Sequence, residues 1–571
     1  MTFSTRSQGP GVDRPRLLII GLDGATYDIL LPTMDAGLMP NLKAIADNGV
    51  RAVLNSTIPP LSGPAWTAFL TGKLAAKNGV FHYFRREAPG QSFSKSIAVV
   101  NGASIRTFTL WDWLGELGYR VISINVPMTY PPRPLNGLLI TGVETPPGSQ
   151  DFTYPPDLAA SLSGYRIDQD YFLAERLFDW TSRPEPTRIL ADQIELLVSR
   201  RDTSLQLMRE HDWDCFMVVF SETDRIGHYV WDQLKDALWS ADALSSQIQD
   251  FFRELDRAIG QLREAAGPNT AVVVMSDHGM GPWACKQVHL ADWLQRHGLT
   301  ALEKGFNSRL MSVLAAAGLS KDRVVALSRR FLPASVIDRI ADRTTRLQPQ
   351  VSVPGSSAVA VAVYASVAGI DLVAAHESSG MHEMDQRRRL AEQIRQGVQE
   401  ILDPDTGEPV IERVFLREEL FVGPYMDQIP DLLLVFKPQY HASTAIGHKA
   451  LVSPIRPTAR AIHLRGEHRP QGVFMACGYP IRRLGVWEVP IALPDVMPTA
   501  LYMLGATVPE DLDGEVKLDL FEETFVRQHP VRIVPVDKDF EARVARFPTD
   551  SHMSSEDEER LRRRLQGLGY L

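Results

Sequence analysis

Three apolar runs, each followed closely by an acid, constrain the fold of this chain more than any other feature. The runs are LLIIGL before Asp23, CFMVVF before Asp224 and AVVVM before Asp277. A continuous apolar run of this length is typical of a strand buried on both faces, as in parallel sheets covered by helices. Helical patterns at 192–210 and 241–265 precede the second and third runs. This helix-then-strand order predicts an α/β fold with a mostly parallel sheet.

Shifts in composition divide the chain into a core, an insertion and a tail. Residues 1–15, rich in Gly, Pro, Ser and Arg, are expected to be disordered, and residues 16–300 form the first part of the α/β core. Residues 301–425 change to a basic helical stretch followed by small, β-prone residues, which indicates an inserted cap. The core pattern resumes over 426–525, and 526–571 is a tail that ends in a charged amphipathic helix.

Charge, cysteine content and hydropathy limit the partners, the metal sites and the location that we expect for the protein. The net charge is −9 with a pI near 5.9, so no basic face is indicated and a nucleic-acid polymer is not an expected partner. The three cysteines are far apart and form no CxxC, which argues against a disulfide framework or a zinc–thiolate site. No signal-peptide pattern and no apolar run long enough for a transmembrane segment occurs, so we expect a cytoplasmic protein.

Six ionisable residues fall at or beside the ends of apolar strands: Asp23, Asp224, His228, Asp277, His278 and His468. Ligands of open α/β sheets bind beyond the carboxyl ends of the strands. Asp and His without Cys favour Zn²⁺ or Mn²⁺, and this set could hold two ions with open positions for a substrate. The alternative is structural, because an Asp at a strand end is commonly a turn or helix-cap residue. The adjacent pair Asp277–His278 fits that alternative least, since it has no apolar packing role.

The stretch PPLSGPAWTAFLTGK offers three hydroxyl groups, on Ser62, Thr67 and Thr71. Pro64 suits the first turn of a helix, which places Ser62 at or just before the helix start. A phosphoryl group on the Ser62 oxygen would lie at the positive end of the helix dipole. The alternative is that Ser62 is only an N-cap. Thr67 and Thr71 fall inside the helix or at its end.

Upstream of this stretch, residues 39–49 are predicted to form a helix closed by Gly49.

Taken together, these segments resemble the alkaline phosphatase superfamily, and most closely its type I phosphodiesterase/nucleotide pyrophosphatase branch. That branch includes bacterial members described as phosphohydrolases or phosphomutases. The matching segments, in chain order, are IIGLDGATYD, PPLSGPAWTAFLTGK, SETDRIGHYVW, VVMSDHGM and GEHRPQGVFMACG. The resemblance implies an α/β, alkaline-phosphatase-like three-layer sandwich with a mostly parallel central sheet and an inserted cap.

The resemblance also assigns roles to residues. It implies one divalent ion held by Asp23, Asp277, His278 and the Ser62 oxygen. It implies a second ion held by Asp224, His228 and His468. Both ions would be zinc, with manganese as the alternative, and Ser62 would be the nucleophile that forms a covalent phosphoseryl intermediate.

Two departures from related patterns narrow the expected function. Nucleotide pyrophosphatases usually have a Thr nucleophile followed three residues later by Asn, where this chain has Ser62 and Ala65. Sulfatases need Arg where this chain has Trp66. We therefore expect hydrolysis of phosphodiester or pyrophosphate bonds in a small phosphorylated substrate. The alternatives are a phosphate monoesterase or phosphomutase of the same superfamily, and a non-enzymatic, metal-dependent binding or scaffold protein.

Overall fold

A computed structural model gives the structure of the protein for residues 15–93, 99–146, 148–162, 164–167, 185–303, 351–373, 381–455, 464–545, 556 and 558–562. Most of the N-terminal segment that we expect to be disordered, the basic helical stretch at 304–350 and the last residues of the tail, 563–571, lie outside this part of the chain. Among the helices that are described, none combines the length and the apolar character needed to cross a bilayer.

The strands, in chain order, are β1 Arg16–Leu22, β2 Gly49–Asn55, β3 Val121–Val126, β4 Gly137–Thr141, β5 Thr153–Tyr154, β6 Cys215–Phe220, β7 Thr270–Met275, β8 Gly279–Pro282, β9 Lys286–His289, β10 Ala301–Leu302, β11 Val351–Ser352, β12 Ala358–Tyr364, β13 Val367–Leu372, β14 Ile411–Leu416, β15 Leu432–Phe436, β16 Tyr440–Ser443, β17 Val452–Pro454, β18 Gly466–Arg469, β19 Gln471–Cys477, β20 Gly485–Val486, β21 Ile491–Ala492, β22 Val508–Pro509 and β23 Ile533–Val534.

The α-helices, in chain order, are α1 Tyr27–Asp35, α2 Pro40–Asp47, α3 Ser62–Thr71, α4 Ala75–Asn78, α5 Leu110–Glu116, α6 Leu158–Ser161, α7 Pro186–Glu210, α8 Glu222–Leu234, α9 Ala243–Ala266, α10 Leu290–Arg296, α11 Met381–Gln399, α12 Arg417–Leu420, α13 Val496–Met503, α14 Glu523–Gln528 and α15 Lys538–Ala545.

The central sheet has the strand order β20-β2-β19-β7-β1-β6-β3-β4-β5, and β21 also pairs with β2. Strands β7, β1, β6, β3 and β4 are mutually parallel. Strand β19 runs antiparallel to both β7 and β2. The predicted α/β fold with a mostly parallel central sheet is therefore confirmed, and the three apolar runs before the acids are its adjacent strands β1, β6 and β7.

Helices cover both faces of this sheet, so the molecule has three layers. Alternate side chains of a strand point to opposite faces. Leu18 and Ile20 of β1 join the core beneath α1, α2 and α7–α9. Leu17 and Ile19 join the core beneath α3, α5 and α13–α15. All four side chains are fully buried, which explains why the run has no polar alternation.

A second, smaller sheet with the order β12-β13-β15-β14 lies mostly in the region predicted to be an inserted cap. Its pairs are all antiparallel, and Ile394 and Val398 of α11 are buried in its core. The expected boundary at residue 425 falls inside this sheet, because β14 pairs with β15 on the far side of that position. The central sheet resumes only at β19.

Buried contacts join the smaller sheet to the core. Arg86 and Asp371 form an ion pair of 2.5 Å in which both side chains are almost completely buried. The His82 ring donates from Nε2 to the backbone oxygen of Val363 at 2.9 Å. Leu561, from the helical residues near the C-terminus, is buried in an apolar cluster that also contains Val363 of β12. The insertion therefore packs closely on the core.

Candidate active site

Sheet topology brings the predicted ligand residues to one edge. Strands β7, β1 and β6 are parallel neighbours, so Asp277, Asp23 and Asp224 follow their ends on the same side. Strand β19 is antiparallel to β7, so its first residues return to that edge, directly after His468 of β18. All of these side chains are buried, with exposed fractions of 4% or less.

The three histidines are oriented alike. In each, Nδ1 faces a backbone carbonyl oxygen: His228 with Gly466 at 2.9 Å, His278 with Gly279 at 3.0 Å and His468 with Pro60 at 2.9 Å. Since a carbonyl oxygen can only accept, each Nδ1 carries a hydrogen, and in the neutral form of each ring Nε2 presents a lone pair. Backbone-held imidazoles of this kind are typical of metal ligands.

Two imidazole nitrogen atoms lie close to one carboxylate oxygen of Asp224. The Nε2 atoms of His228 and His468 are 3.0 Å apart, and each lies 3.3 Å from Asp224 Oδ1. That oxygen is buried and accepts no hydrogen bond within the part of the chain that the structure covers. Two nitrogen atoms and one oxygen atom are a donor set that suits Zn²⁺ or Mn²⁺.

A second group of ligand atoms adjoins the first. Single ligand atoms of Asp23, Asp224 and His278 lie within 4.8 Å of one another. Asp277 Oδ2 is 3.3 Å from His278 Nε2, and it too is buried without a hydrogen-bond donor among the described residues. Ser62 Oγ lies 3.1 Å from His278 Nε2. All seven residues predicted for the site are thus brought together.

Ser62 lies in the first turn of α3 and is not its N-cap. It is the first residue of α3, whose N-cap is Leu61 and whose cap has no side-chain hydrogen bond. Its Oγ instead points toward His278 and lies 3.5 Å from Asp23 Oδ1. Thr67 and Thr71 donate to backbone oxygens one turn back, both at 2.7 Å, as expected for residues inside the helix.

Burial dominates the acid–base properties of the site. Burial, with the charges of Asp277 and Asp224, raises the pKa of Asp23 well above its usual value. Burial also raises the pKa of Asp277 to about 7. Burial alone would raise the pKa of Asp224, but the charge that His228 carries when protonated holds it well below the usual range, and Asp224 in turn raises the pKa of His228 against the effect of burial. Burial lowers the pKa of His468 to about 3, so this ring is neutral.

The donor set therefore fits cations. The three buried carboxyl groups of Asp23, Asp224 and Asp277 lie close enough for their charges to repel one another. A divalent ion at each group of ligand atoms would compensate this repulsion.

Three residues beside the ligands are not identified by the sequence patterns. The Trp66 indole Nε1 donates to Asp23 Oδ2 at 3.1 Å. Arg225 Nη1 donates to Asp224 Oδ2 at 3.2 Å. The Tyr364 hydroxyl, from β12 of the smaller sheet, accepts the His468 backbone N–H at 3.1 Å. Of these three residues, only Arg225 could have been noticed in the sequence, because it is a charged residue directly after Asp224 in a buried segment.

A third cluster, His289, Asp292 and His448, also contains ligand-type atoms within 4.8 Å. The two imidazole rings are stacked 3.7 Å apart and are nearly parallel, at 11°. Lone pairs lie in the ring planes, so those of parallel stacked rings cannot converge on one ion. Asp292 accepts the backbone N–H groups of Gly447 and His448, at 2.7 and 3.0 Å. We assign this cluster a structural role in holding that turn.

Comparisons with known proteins agree with this geometry. Residues 17–470 match the family model described as type I phosphodiesterase/nucleotide pyrophosphatase. The search of curated proteins gave no match.

Solved structures provide more distant similarities. Phosphonoacetate hydrolase from Sinorhizobium meliloti 1021, in complex with phosphonoformate, aligns with a TM-score of 0.52 and 17% identity over 86% of this chain and 96% of that chain. The same protein in complex with phosphonoacetate aligns with a TM-score of 0.50 and 17% identity, over 86% of this chain and 96% of that chain. Human ectonucleotide pyrophosphatase/phosphodiesterase 5 aligns with a TM-score of 0.47 and 12% identity, over 89% of this chain and 100% of that chain. At 17% identity, the similarity to the hydrolase shows a shared fold.

Proposed function

Because the chain belongs to the type I phosphodiesterase/nucleotide pyrophosphatase family, we propose that it cleaves phosphodiester or pyrophosphate bonds of a small phosphorylated substrate, with Ser62 as nucleophile. The observation that carries this proposal is that the Ser62 hydroxyl lies 3.1 Å from His278 Nε2 and 3.5 Å from Asp23 Oδ1, beside buried groups of carboxylate and imidazole ligand atoms. A site built only for structure would pair these atoms with donors.

Two divalent ions complete the proposed site. Asp224, His228 and His468 would hold one ion. Asp23, Asp277 and His278, with the Ser62 oxygen, would hold the other. Nitrogen and oxygen ligands without thiolates favour zinc, with manganese as the alternative. When bound, the ions would lower the pKa of the attacking hydroxyl and neutralise charge on the phosphoryl oxygens.

The residues of the chain then account for a two-step reaction. Ser62 Oγ forms a bond to phosphorus and releases its proton to solvent, and the bond from phosphorus to the leaving oxygen breaks, with that oxygen taking up a proton from solvent. Water then cleaves the Oγ–phosphorus bond and restores the serine. Ser62 lies in the first turn of the ten-residue helix α3, so the transferred group would be at the positive end of the helix dipole.

Replacement of Ser62 by Ala tests the nucleophile. We expect turnover of phosphate esters to fall by about three orders of magnitude or more, while the protein still binds two ions per chain. Metal content is measured by elemental analysis, and turnover with chromogenic esters. Thr67→Ala, which removes another hydroxyl of α3, is the control and should keep near-normal turnover. Hydrolysis by Ser62→Ala at the wild-type rate would contradict the assignment.

The rival functions separate by substrate. Preference for bis-p-nitrophenyl phosphate over p-nitrophenyl phosphate supports the diesterase, and the reverse preference supports the monoesterase. Transfer of phosphate between hydroxyls of a sugar phosphate, without net release, supports a phosphomutase. Metal-loaded protein that cleaves no phosphate ester supports the binding or scaffold alternative.

The proposed location is the cytoplasm. This is supported by the cysteines, which are all free: Cys215 and Cys477 are buried, and Cys285 is exposed. Free thiols of this kind persist in reducing compartments. Fractionation of cells that express the protein with an intact N-terminus would test the proposal, and recovery in an extracytoplasmic fraction would contradict it.

A further inference from the structure

His468 lies where three parts of the chain meet. Its ring stacks on that of His278, with centroids 3.6 Å apart and planes at 19°. Its Nδ1 donates to the backbone oxygen of Pro60, two residues before Ser62, at 2.9 Å. Its backbone N–H donates to the hydroxyl oxygen of Tyr364 at 3.1 Å. This candidate ligand is therefore held by the core, by the segment that leads to Ser62 and by the smaller sheet.

A change of register in the smaller sheet turns Tyr364 toward the core. The pairing of β12 with β13 shifts between Ala362 and Tyr364, which is the last residue of β12. Alternate residues of a regular strand face opposite sides, so Val363 and Tyr364 would point apart. Instead both are buried in the same apolar cluster, together with Val361. Irregularities of this kind re-aim side chains and are frequent next to functional sites.

Both the ring and the hydroxyl of Tyr364 contact His468. The ring centroids of the two residues are 5.1 Å apart, at an interplanar angle of 33°, and Tyr364 is 7% exposed. A buried phenol hydroxyl usually has a hydrogen-bond partner. Among the residues that the structure describes, the partner of this hydroxyl is the His468 backbone N–H. The polar atom of Tyr364 is therefore committed to a candidate metal ligand.

The position of the His468 backbone determines where its Nε2 lies. That atom is 3.3 Å from Asp224 Oδ1 and 3.0 Å from the Nε2 atom of His228. A shift of the main chain would carry the imidazole out of this group of ligand atoms. The hydrogen bond from the His468 N–H to Tyr364 opposes such a shift.

We propose that Tyr364 is a positioning residue for His468, and that the smaller sheet thereby completes the ion site of Asp224, His228 and His468. This inference rests on the proposed function, because it concerns the ion sites assigned there. Within the described residues, no hydrogen bond or ring contact joins Tyr364 to Asp23 or the other ligands of the second ion. The effect of Tyr364 should therefore be confined to one of the two ions.

Tyr364→Phe tests this role, because it removes the hydroxyl and keeps the ring. Zinc binding by the wild-type chain and by the variant is measured by competition with a chromophoric chelator. Outer hydrogen bonds to ligand residues are worth about 10- to 100-fold in metal affinity, so we expect one ion to be held more weakly by that factor and the other to keep its affinity. In a His228→Ala background, where the affected site already lacks a ligand, Tyr364→Phe should not change the affinity for the remaining ion.

Tyr440→Phe is the matched control. Tyr440 is also a buried phenol, 5% exposed, and its hydroxyl donates to Asp403 Oδ2 at 2.6 Å, outside the candidate site. This variant should keep both zinc affinities. Thermal unfolding shows whether each variant is folded. If Tyr364→Phe does not fold, Tyr364→Met takes its place, because it also lacks the hydroxyl and its flexible side chain adapts to the space.

The outcomes separate this inference from the proposed function. Equal zinc affinities in Tyr364→Phe and the wild-type chain overturn the inference, and ester hydrolysis by the wild-type chain then leaves the proposed function intact. Equal weakening of both ions also overturns it, because that result indicates a general structural defect. Selective weakening of one ion supports the inference, even if the zinc-loaded wild-type chain cleaves no ester and the hydrolase proposal fails. A wild-type chain that binds no zinc overturns both.

Discussion

The Asp23 carboxylate is held by a neighbour on a different element. Trp66 donates its indole N–H to Oδ2, which directs Oδ1 toward Ser62. The indole is fully buried between α3 and β1, and Gly21 leaves room for it, since a Cβ there would be 2.7 Å from the ring. Such outer hydrogen bonds fix the orientation of metal ligands. Trp66 is therefore a positioning residue for Asp23.

Trp66→Phe removes the indole N–H and keeps an aromatic ring. We expect zinc affinity at the Asp23 group to fall by about 10- to 100-fold, because the carboxylate loses the partner that orients it. Competition with a chromophoric chelator measures this affinity. Trp113→Phe is the control, since its indole N–H donates to the Thr507 backbone oxygen at 2.8 Å and not to a residue of the candidate site. Equal affinity in the two variants would contradict the positioning role.

The sequence predicted which residues meet at the candidate site, whereas the residues that support them could not be predicted. Asp23, Asp224 and Asp277 follow apolar runs, and the position of a strand end requires only the local pattern. The Trp66–Asp23 bond joins residues 43 positions apart across a helix–sheet interface. Its existence depends on the direction of a side chain in the packed core, which no local pattern encodes.

At the scale of elements, β2 shows how one local signal can have two causes. The sequence predicted that Gly49 ends a helix, but α2 ends at Asp47, Asn48 is its cap, and Gly49 begins β2. A Cβ on Gly49 would lie 1.9 Å from the backbone oxygen of Ala476 in β19. Close strand pairing and helix termination both select glycine, and the pairing partner lies near the other end of the sequence.

Gly49→Ala should destabilise the protein, because backbone atoms of β19 would have to move. We expect the free energy of unfolding to fall by about 2 kcal/mol or more, measured from the midpoint of urea denaturation. Gly115→Ala in α5 is the matched change, since its Cβ would meet Asn136 at an ordinary 3.5 Å. That variant should gain about 0.5–1 kcal/mol. Similar effects in both variants would contradict the close-approach argument.

At the scale of the whole molecule, the smaller sheet contacts the core at the candidate active site. Tyr364 of the smaller sheet contacts the backbone of His468, and Arg86 of the core pairs with Asp371 of β13. The sequence indicated an inserted cap, but it placed PDLLLVF with the core. An apolar strand has the same pattern in either sheet, so only tertiary pairing reveals that β15 belongs to the smaller one.

Asp371→Asn tests this connection. The change leaves the Arg86 guanidinium buried without a counter-charge, which costs about 3–5 kcal/mol. We expect amide hydrogens of β12 and β13 to exchange faster while those of β1 and β6 keep their protection, as measured by hydrogen exchange. Asp35→Asn, at an exposed pair with Lys43 of 3.5 Å, is the control and should change little. Unaltered exchange in β12 and β13 would show that the ion pair does not hold the smaller sheet.

The position of β19 has a consequence for synthesis on the ribosome. It pairs with both β7 and β2 inside the central sheet, and the other neighbours of β2, β20 and β21, are translated later still. A nascent chain that stops before residue 471 therefore leaves β7 with an open edge and β2 without a partner strand. His468 is translated just before this strand, so the candidate site can be assembled only when most of the chain has been translated. Until then, the two unpaired strands are surfaces for chaperones to protect.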